Sequence, residues 1–321
     1  MLMQIPALSK LFNGGGREAG WFAICVNQRG VYLAQVSWAG KLPQVLTCSF
    51  HPAEDVTSAV LERICREAHI GNHQFTTLLA PGEYQMLVVD APNVPADELK
   101  TAIRWRIKDA LSYHIDDATV DVLQIPAGKY GNSDRPQSMY AVAASNVTIQ
   151  KRIALFDNAK IPLKVIDIPE MAQRNVAALF EEDERALALL AFDEDGGLLT
   201  FTSGGELYLA RRIEITIGQL QDADDELRQQ YLDRVELEVQ RSLDYFGRQY
   251  HYIPVSRLLV SAPEELGLAT FLNNGLDLPV AELELEQAMD LSAVPELQRK
   301  DQAAFALPVL GAALRQERRA L

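Results

Sequence analysis

A strand, a tight turn and a second strand open each half of this chain, and that repetition narrows the folds available to it more than any other feature. In the first half Phe22, Ile24 and Val26 alternate with other residues. Asn27 to Gly30 supply the turn, and Val31, Leu33 and Val36 resume the alternation. In the second half Leu187 to Phe192 run into Gly196-Gly197 and return as Leu198 to Thr202. A third strand follows each time, Val45 to Phe50 and Glu206 to Ile217. At 321 residues the chain has room for about two domains of roughly 150 residues each.

Between and after these hairpins the apolar spacing changes to that of helices. Ala53 to Glu67 carries Val56, Val60, Leu61 and Ile64 on one face, and strands at Thr76–Ala80 and Met86–Val89 follow. Pro92-Asn93-Val94-Pro95 breaks the pattern. Asp97-Glu98 then opens a helix with Leu99, Ile103, Ile107 and Leu111 inward, its acidic start suiting the helix dipole. Strands at Val120–Ile125 and Met139–Ala144 flank a polar turn at Gly128–Pro136, so about 91–145 reads as an inserted small α+β unit. Val147–Asn158 and Pro169–Phe180 are helices around a strand at Leu163–Ile168. Asp224–Tyr250 is the longest helix. A strand at Leu258–Ser261, a helix at Glu264–Asn273, a strand at Leu278–Leu283 and a terminal helix at Phe305–Leu314 complete the chain.

Lys plus Arg total 30 against 44 Asp plus Glu, a formal net charge of −14. That balance repels phosphate backbones and anionic lipid, leaving room only for a local basic patch, so no nucleic-acid partner is expected. Cys25, Cys48 and Cys65 form no CxxC pair and read as buried small hydrophobes of a reducing compartment. No apolar run approaches the roughly 20 residues of a membrane span, and Met1 to Gly16 lacks the basic and apolar regions of a signal peptide. Ile5 to Phe12 followed by Gly14-Gly15-Gly16 reads as a flexible leader. His69 and His73 are spaced i, i+4 but Gly71 lies between them, so no metal site is expected. No GxSxG or P-loop occurs.

Several stretches, in order, resemble the PilM family of actin-like type IV pilus assembly proteins. Ala102-Ile103-Arg104-Trp105 with Lys108–Tyr113 is similar to the family's AIRWEAEQYIPF, and Asp116–Asp121 follows as its DEVxxD turn does. Met139–Ala144 is similar to VLLVAA. Leu163–Glu170 (LKVIDIPE) resembles LKPxxxDVEP, and Glu206–Ile215 resembles DGRLLFTREIPI. Val239–Phe246 (VQRSLDYF) is similar to IQRSLDFY, and Leu307–Arg315 (LPVLGAALR) to AVALGLALR. The likeness runs from about Trp21 to Arg315, is strongest toward the mannose-sensitive haemagglutinin (MSHA) pilus branch, and extends to the cytoplasmic part of the type II secretion protein GspL. It implies an α/β, actin-like (ribonuclease H-like) two-domain fold with a cleft for nucleotide. A leader at 1–20 precedes a first domain at 21–185, with the insert at about 91–145. A second domain spans 186–321, its terminal helix at 305–315 packing back.

The resemblance also directs attention to three loops. The family's first strand turn carries Asp-x-Gly, the Asp holding a metal's water shell and the Gly letting backbone N–H groups reach phosphate. Here that run is Cys25-Val26-Asn27-Gln28-Arg29-Gly30. The second phosphate loop aligns near Ala191-Phe192-Asp193 or, shifted, brings Asp193 or Asp195-Gly196-Gly197 to the site, with carboxylates where triphosphate would lie. The glycine loop over adenosine is Leu259-Val260-Ser261-Ala262-Pro263-Glu264. Asp167 survives as a lone carboxylate, of the kind that caps helices. The expectation is a pseudo-ATPase without cofactor or catalytic residues. Were ATP and magnesium to bind, Asn27, Gly30, Asp167, Asp193, Asp195, Gly196 and Ser261 would carry them. The alternative implied by the resemblance is a working actin-like ATPase with Asp193, Asp195 and Asp167 on the metal side. The family's mode of action implies a scaffold in the cytoplasm, peripheral to the bacterial inner membrane. Its partner would be the cytoplasmic N-terminal tail of a single-span pilus protein, with the assembly ATPase as a further candidate. The tail's groove would include Trp105, Tyr113 and His114. No membrane span follows the second domain, which favours the pilus over the secretion system.

Overall fold

A computed structural model describes residues 21–38, 40–68, 70, 73–126 and 137–316. The leader, the turn at 128–136, and His69 with Gly71 lie outside the described residues. In chain order the strands and helices are β1 (Phe22–Asn27), β2 (Gly30–Ser37), β3 (Gln44–Pro52), α1 (Ser58–Glu67), β4 (Phe75–Leu78), β5 (Tyr84–Asp90), α2 (Leu99–Ile107), β6 (Ala118–Gln124), β7 (Ser138–Ser145), α3 (Asn146–Asn158), β8 (Leu163–Asp167) and α4 (Pro169–Ala177). They continue with β9 (Ala186–Asp193), β10 (Gly196–Ser203), β11 (Glu206–Ile213), α5 (Ile217–Asp222), α6 (Asp225–Gln249), β12 (Val255–Ser261), α7 (Leu268–Gly275), β13 (Val280–Glu282) and α8 (Lys300–Ala313).

The repetition read in the sequence is a repetition of topology. One five-stranded sheet has the order β3-β2-β1-β4-β8 and the other β11-β10-β9-β12-β13. In each, three strands form an antiparallel meander and two more join parallel to the first of them. A three-stranded antiparallel sheet, β5-β7-β6, stands apart, with α2 on one face. It begins at Tyr84, ahead of the proline break, because β5 pairs along its whole length with β7.

Several element ends differ from the sequence reading, each for a local reason. α1 starts at Ser58 because the Ala53 N–H is held by the Arg29 carbonyl and Thr57 caps the helix. β11 stops at Ile213 because a capping box at Thr216 and Gln219 starts α5. The helix expected over Glu264–Asn273 is split at Gly267. α2 ends at Ile107 in a short 3₁₀ turn, so Leu111 falls outside it. Asp97 and Glu98 precede it without a side-chain cap. α8 begins five residues before Phe305 and continues through Pro308, a residue with no N–H to give the preceding turn.

The two sheets share a core. α4 and α8 lie between them, and one apolar cluster takes Ala23, Tyr32 and Val36 from the first sheet and Leu187, Leu189 and Leu259 from the second. It closes around Ala172 and Val176 of α4 and Leu307 and Leu310 of α8. The outer face of the first sheet is covered by α1 and α3 through Leu61, Ile64 and Phe156. The outer face of the second is covered by α6 and α7 through Val235, Val239, Phe246 and Leu272. Where α4 and α8 cross, a Cβ at Gly311 would lie 2.2 Å from the Ala172 carbonyl oxygen. The Asn175 side chain donates to the Gly311 carbonyl at 2.9 Å. Gly311→Ala therefore forces the crossing apart, with an expected loss of about 2–3 kcal/mol in denaturant unfolding. Gly247 on the exposed side of α6 has open space around its Cα, and Gly247→Ala should stabilise by about 0.5–1 kcal/mol.

Candidate functional site

The two strand turns at the mouth of the shared core are equivalent and touch each other. β1 ends at Asn27 opposite Gly30, and β9 ends at Asp193 opposite Gly196. Gly30 and Gly196 take φ of +148° and +116°. A Cβ at Gly30 would lie 2.2 Å from the His51 carbonyl oxygen, and one at Gly196 would lie 2.7 Å from that of Ile213. Both glycines thus let the third strand of each meander close over the turn. Asn27 Oδ1 accepts the backbone N–H groups of Arg29 (3.0 Å) and Gly30 (3.1 Å). Asp193 Oδ1 accepts that of Asp195 (2.9 Å). The amides of Arg29, Gly30 and Asp195 are thus held by the turns' own side chains.

Across the gap, Glu194 joins the halves. Its carboxylate accepts from Asn27 Nδ2 at 3.1 Å and pairs with the Arg29 guanidinium at 2.7 Å. Arg29 in turn lies over the rings of Phe50 (5.6 Å) and Phe305 (5.3 Å), which tie it to β3 and α8. Cys25, Asn27, Asp193, Phe305 and Pro308 line the remaining cavity, whose volume is about 60 Å³. Sites that bury small ligands run to about 300–1,000 Å³.

The electrostatics of this cleft are those of crowded acids. Burial, with help from Asp195 and Glu194, pushes the Asp193 carboxyl up to about 6. Burial first and Glu194 second raise Asp195 as well. Cys25, where the family has an Asp, is pushed by burial to about 12 and is a neutral thiol at pH 7. All three cysteines are free and half-buried.

The other residues picked out by sequence lie elsewhere. Asp167 does not cap α4, whose N-cap is Ile168. It accepts from Arg315 Nη1 at 2.5 Å and so ties the end of β8 to the end of α8, and the Arg315 guanidinium covers Trp21. Ser261 is buried at the end of β12, opposite Ala191 of β9, and does not line the cavity. Trp105 is 63% exposed on α2, with Lys108 Nζ 5.8 Å from its ring centroid. Its neighbour Arg104 points inward and donates to the Ala118 and Ile115 carbonyls. Tyr113 packs on the core of the three-stranded unit. His114 Nδ1 accepts the Asp116 N–H at 3.3 Å. Among the described residues no group of three or more His, Cys, Asp or Glu could hold a metal, and no helix is long and apolar enough to cross a membrane.

Two features escaped the sequence reading. Glu194 reads in the sequence only as one of three clustered carboxylates with Asp193 and Asp195, whereas it pairs with Arg29; lining up the two turns sets Asn27-Gln28-Arg29-Gly30 beside Asp193-Glu194-Asp195-Gly196 and so matches a basic turn with an acidic one. The second is the polar joint between the three-stranded unit and the second sheet. Tyr84 donates to Glu170 at 2.5 Å, and Arg212 donates to both, at 2.8 Å and 3.2 Å.

No protein-family profile matches the sequence, and no curated protein matches it. Among solved structures, a PilM-PilN type IV pilus biogenesis complex superposes with a TM-score of 0.73 at 18% identity, over 93% of this chain and 98% of that one. The cytoplasmic domain of EpsL, an inner-membrane component of the type II secretion system of Vibrio cholerae, gives 0.43 at 14% identity over 65% and 77%. A Bacteroides thetaiotaomicron protein with an actin-like ATPase fold gives 0.49 at 9% identity over 86% and 94%. The first likeness, over nearly the whole of both chains, together with the doubled sheet topology, makes this an actin-like fold.

Asp193 gives the cleft a pH signature. Its folded-state value of about 6 stands above the ordinary 3.8. Between these two values the folded protein holds a proton that the unfolded chain has lost, so this group's contribution to stability falls as pH rises and is fully unfavourable above pH 6. Asp193→Asn keeps the acceptor for the Asp195 N–H. It should raise stability at pH 7 by about 1–2 kcal/mol, allowing for partial solvation, and change nothing near pH 4. Denaturant midpoints across pH 4–8 read this out.

Proposed function

We propose that this chain is a nucleotide-independent scaffold of a type IV pilus assembly platform, peripheral to the inner membrane on its cytoplasmic side. Within that class we propose the MSHA-type role, that of MshI. The observation that carries the nucleotide-independent reading is Glu194. Its carboxylate occupies the space between the two turns and bonds Asn27 and Arg29 of the opposite half. A triphosphate there would have to displace Glu194 from Arg29 and Asn27, meet the carboxylates of Asp193 and Asp195, and compete with side chains already holding the turn amides. The neutral Cys25 thiol supplies no anionic anchor for magnesium. The likeness to a PilM-PilN complex supports the pilus context.

In this reading the work of the protein is to hold partners. The partner class is the cytoplasmic tail of a single-span pilus protein, with the assembly ATPase as a second contact. Trp105 is the anchor best suited to an apolar tail, being a large ring left mostly in solvent on a helix otherwise pinned by Ile103 and Arg104.

Calorimetric titration with ATP and magnesium tests the nucleotide claim: no saturable heat is expected, and one-site micromolar binding would contradict it. For the partner claim, Trp105→Ala should weaken capture of a PilN-type N-terminal tail about ten-fold or more, with the thermal midpoint unchanged, as truncation of an exposed hot-spot ring does. Undiminished capture would rule Trp105 out as the anchor.

A further inference from the structure

α6 carries its core residues, Leu232, Val235, Val239, Ser242 and Phe246, on one side. On the other side it leaves large apolar side chains in solvent: Leu227 at 40%, Leu237 at 47% and Tyr245 at 47% exposure. At 3.6 residues per turn, Gln230, Leu237 and Arg248 fall along one line that faces roughly away from the core. Arg234, Arg241, Tyr245 and Leu227 lie to one side of that line, and Glu226, Asp233 and Asp244 to the other. All of these residues are exposed. Arg234 and Arg248 make no ion pair among the described residues, while Arg241 shares Glu238 with Arg211. The ridge is about 30 Å long and has one basic flank and one acidic flank.

We propose that this ridge is a self-association surface, on which two copies of the chain lie with their α6 helices side by side and parallel about a two-fold axis. In that arrangement the basic flank of each helix faces the acidic flank of the other, and Leu237 meets its own copy on the midline. An antiparallel pairing would set each flank against its like. The acidic flank also disfavours an anionic lipid surface, which would meet Asp233 and Asp244 along with the arginines. A second copy fits because the ridge carries both halves of the charge pattern. A single helix pair is at the small end of protein interfaces, so the dimer is weak and concentration dependent. The net charge of −14 opposes it at low salt. At physiological ionic strength the Debye length is about 8 Å, which screens that overall repulsion more than it screens touching pairs. The inference does not rest on the nucleotide reading.

Sedimentation velocity of the full chain over a range of concentrations at physiological salt tests it. The wild type should show a monomer–dimer equilibrium. Reversing the basic flank (R234E, R241E) should weaken it about ten-fold or more, and reversing the acidic flank (E226K, D233K, D244K) should do the same. An equimolar mixture of the two variants should form a heterodimer, because each then presents one sign on both flanks. Leu237→Lys alone, a milder change at an exposed site, should also abolish the wild-type dimer. A wild type that stays monomeric at every concentration, variants that dimerise as it does, or a mixture that stays monomeric would each overturn the proposal. So would arginine reversal that abolished binding to phosphatidylglycerol vesicles while leaving self-association unchanged.

Discussion

Everything else in this molecule depends on the crossing of α4 and α8. The two helices meet where Gly311 faces the Ala172 backbone, close enough that no side chain fits between them. They are stitched there by the bond from Asn175. Both five-stranded sheets pack their inner faces on this pair, so the separation of the helices sets the separation of the sheets. The Arg315–Asp167 pair fixes the end of α8 against the end of β8. Gln173 of α4 donates from its buried amide to the Leu189 and Leu198 carbonyls and to Thr200, anchoring the helix to the second sheet.

That spacing determines what the cleft can be. The strand turns of the two halves are brought within hydrogen-bonding distance, and Phe305 and Pro308 of α8 form the floor between them. With so little room, a carboxylate reaching across is itself a space filler as well as a charge partner. Glu194 is satisfied by a guanidinium and an amide, whereas Asp193 is left in partial burial with like charges beside it and takes up its proton near pH 6. The cleft is taken up by contacts between the two halves.

Much of this was legible in the sequence, and what was not has identifiable causes. The doubled hairpin was visible because alternation and turn glycines are local signals, and Gly30 and Gly196 turned out to be equivalent positions. Two of the stretches that carried the family resemblance build the central joint, LKVIDIPE and LPVLGAALR meeting through Asp167 and Arg315, while VQRSLDYF covers the outer face of the second sheet and buries Val239, Ser242 and Phe246. Their residue types are fixed by packing and say little about chemistry. The terminal helix begins at Lys300, five residues before the expected Phe305, and the sequence does not signal that start because the polar run Arg299–Gln302 carries no apolar periodicity. The Arg29–Glu194 pair joins residues 165 positions apart and has no local signature. The inward turn of Arg104, beside an outward Trp105, depends on where the Ala118 and Ile115 carbonyls sit, which no periodicity encodes.

The central claim is that the two turns are closed on each other by their own side chains and leave nothing for phosphate to bind. Amide hydrogen exchange in peptides covering β1–β2 and β9–β10, with and without ATP and magnesium, tests it most directly. The account requires slow exchange at the Arg29, Gly30 and Asp195 amides in the free protein and the same rates when nucleotide is added. Fast exchange in the free protein that slows in both peptides on adding nucleotide would contradict it, and would mean that the turns open to hold phosphate.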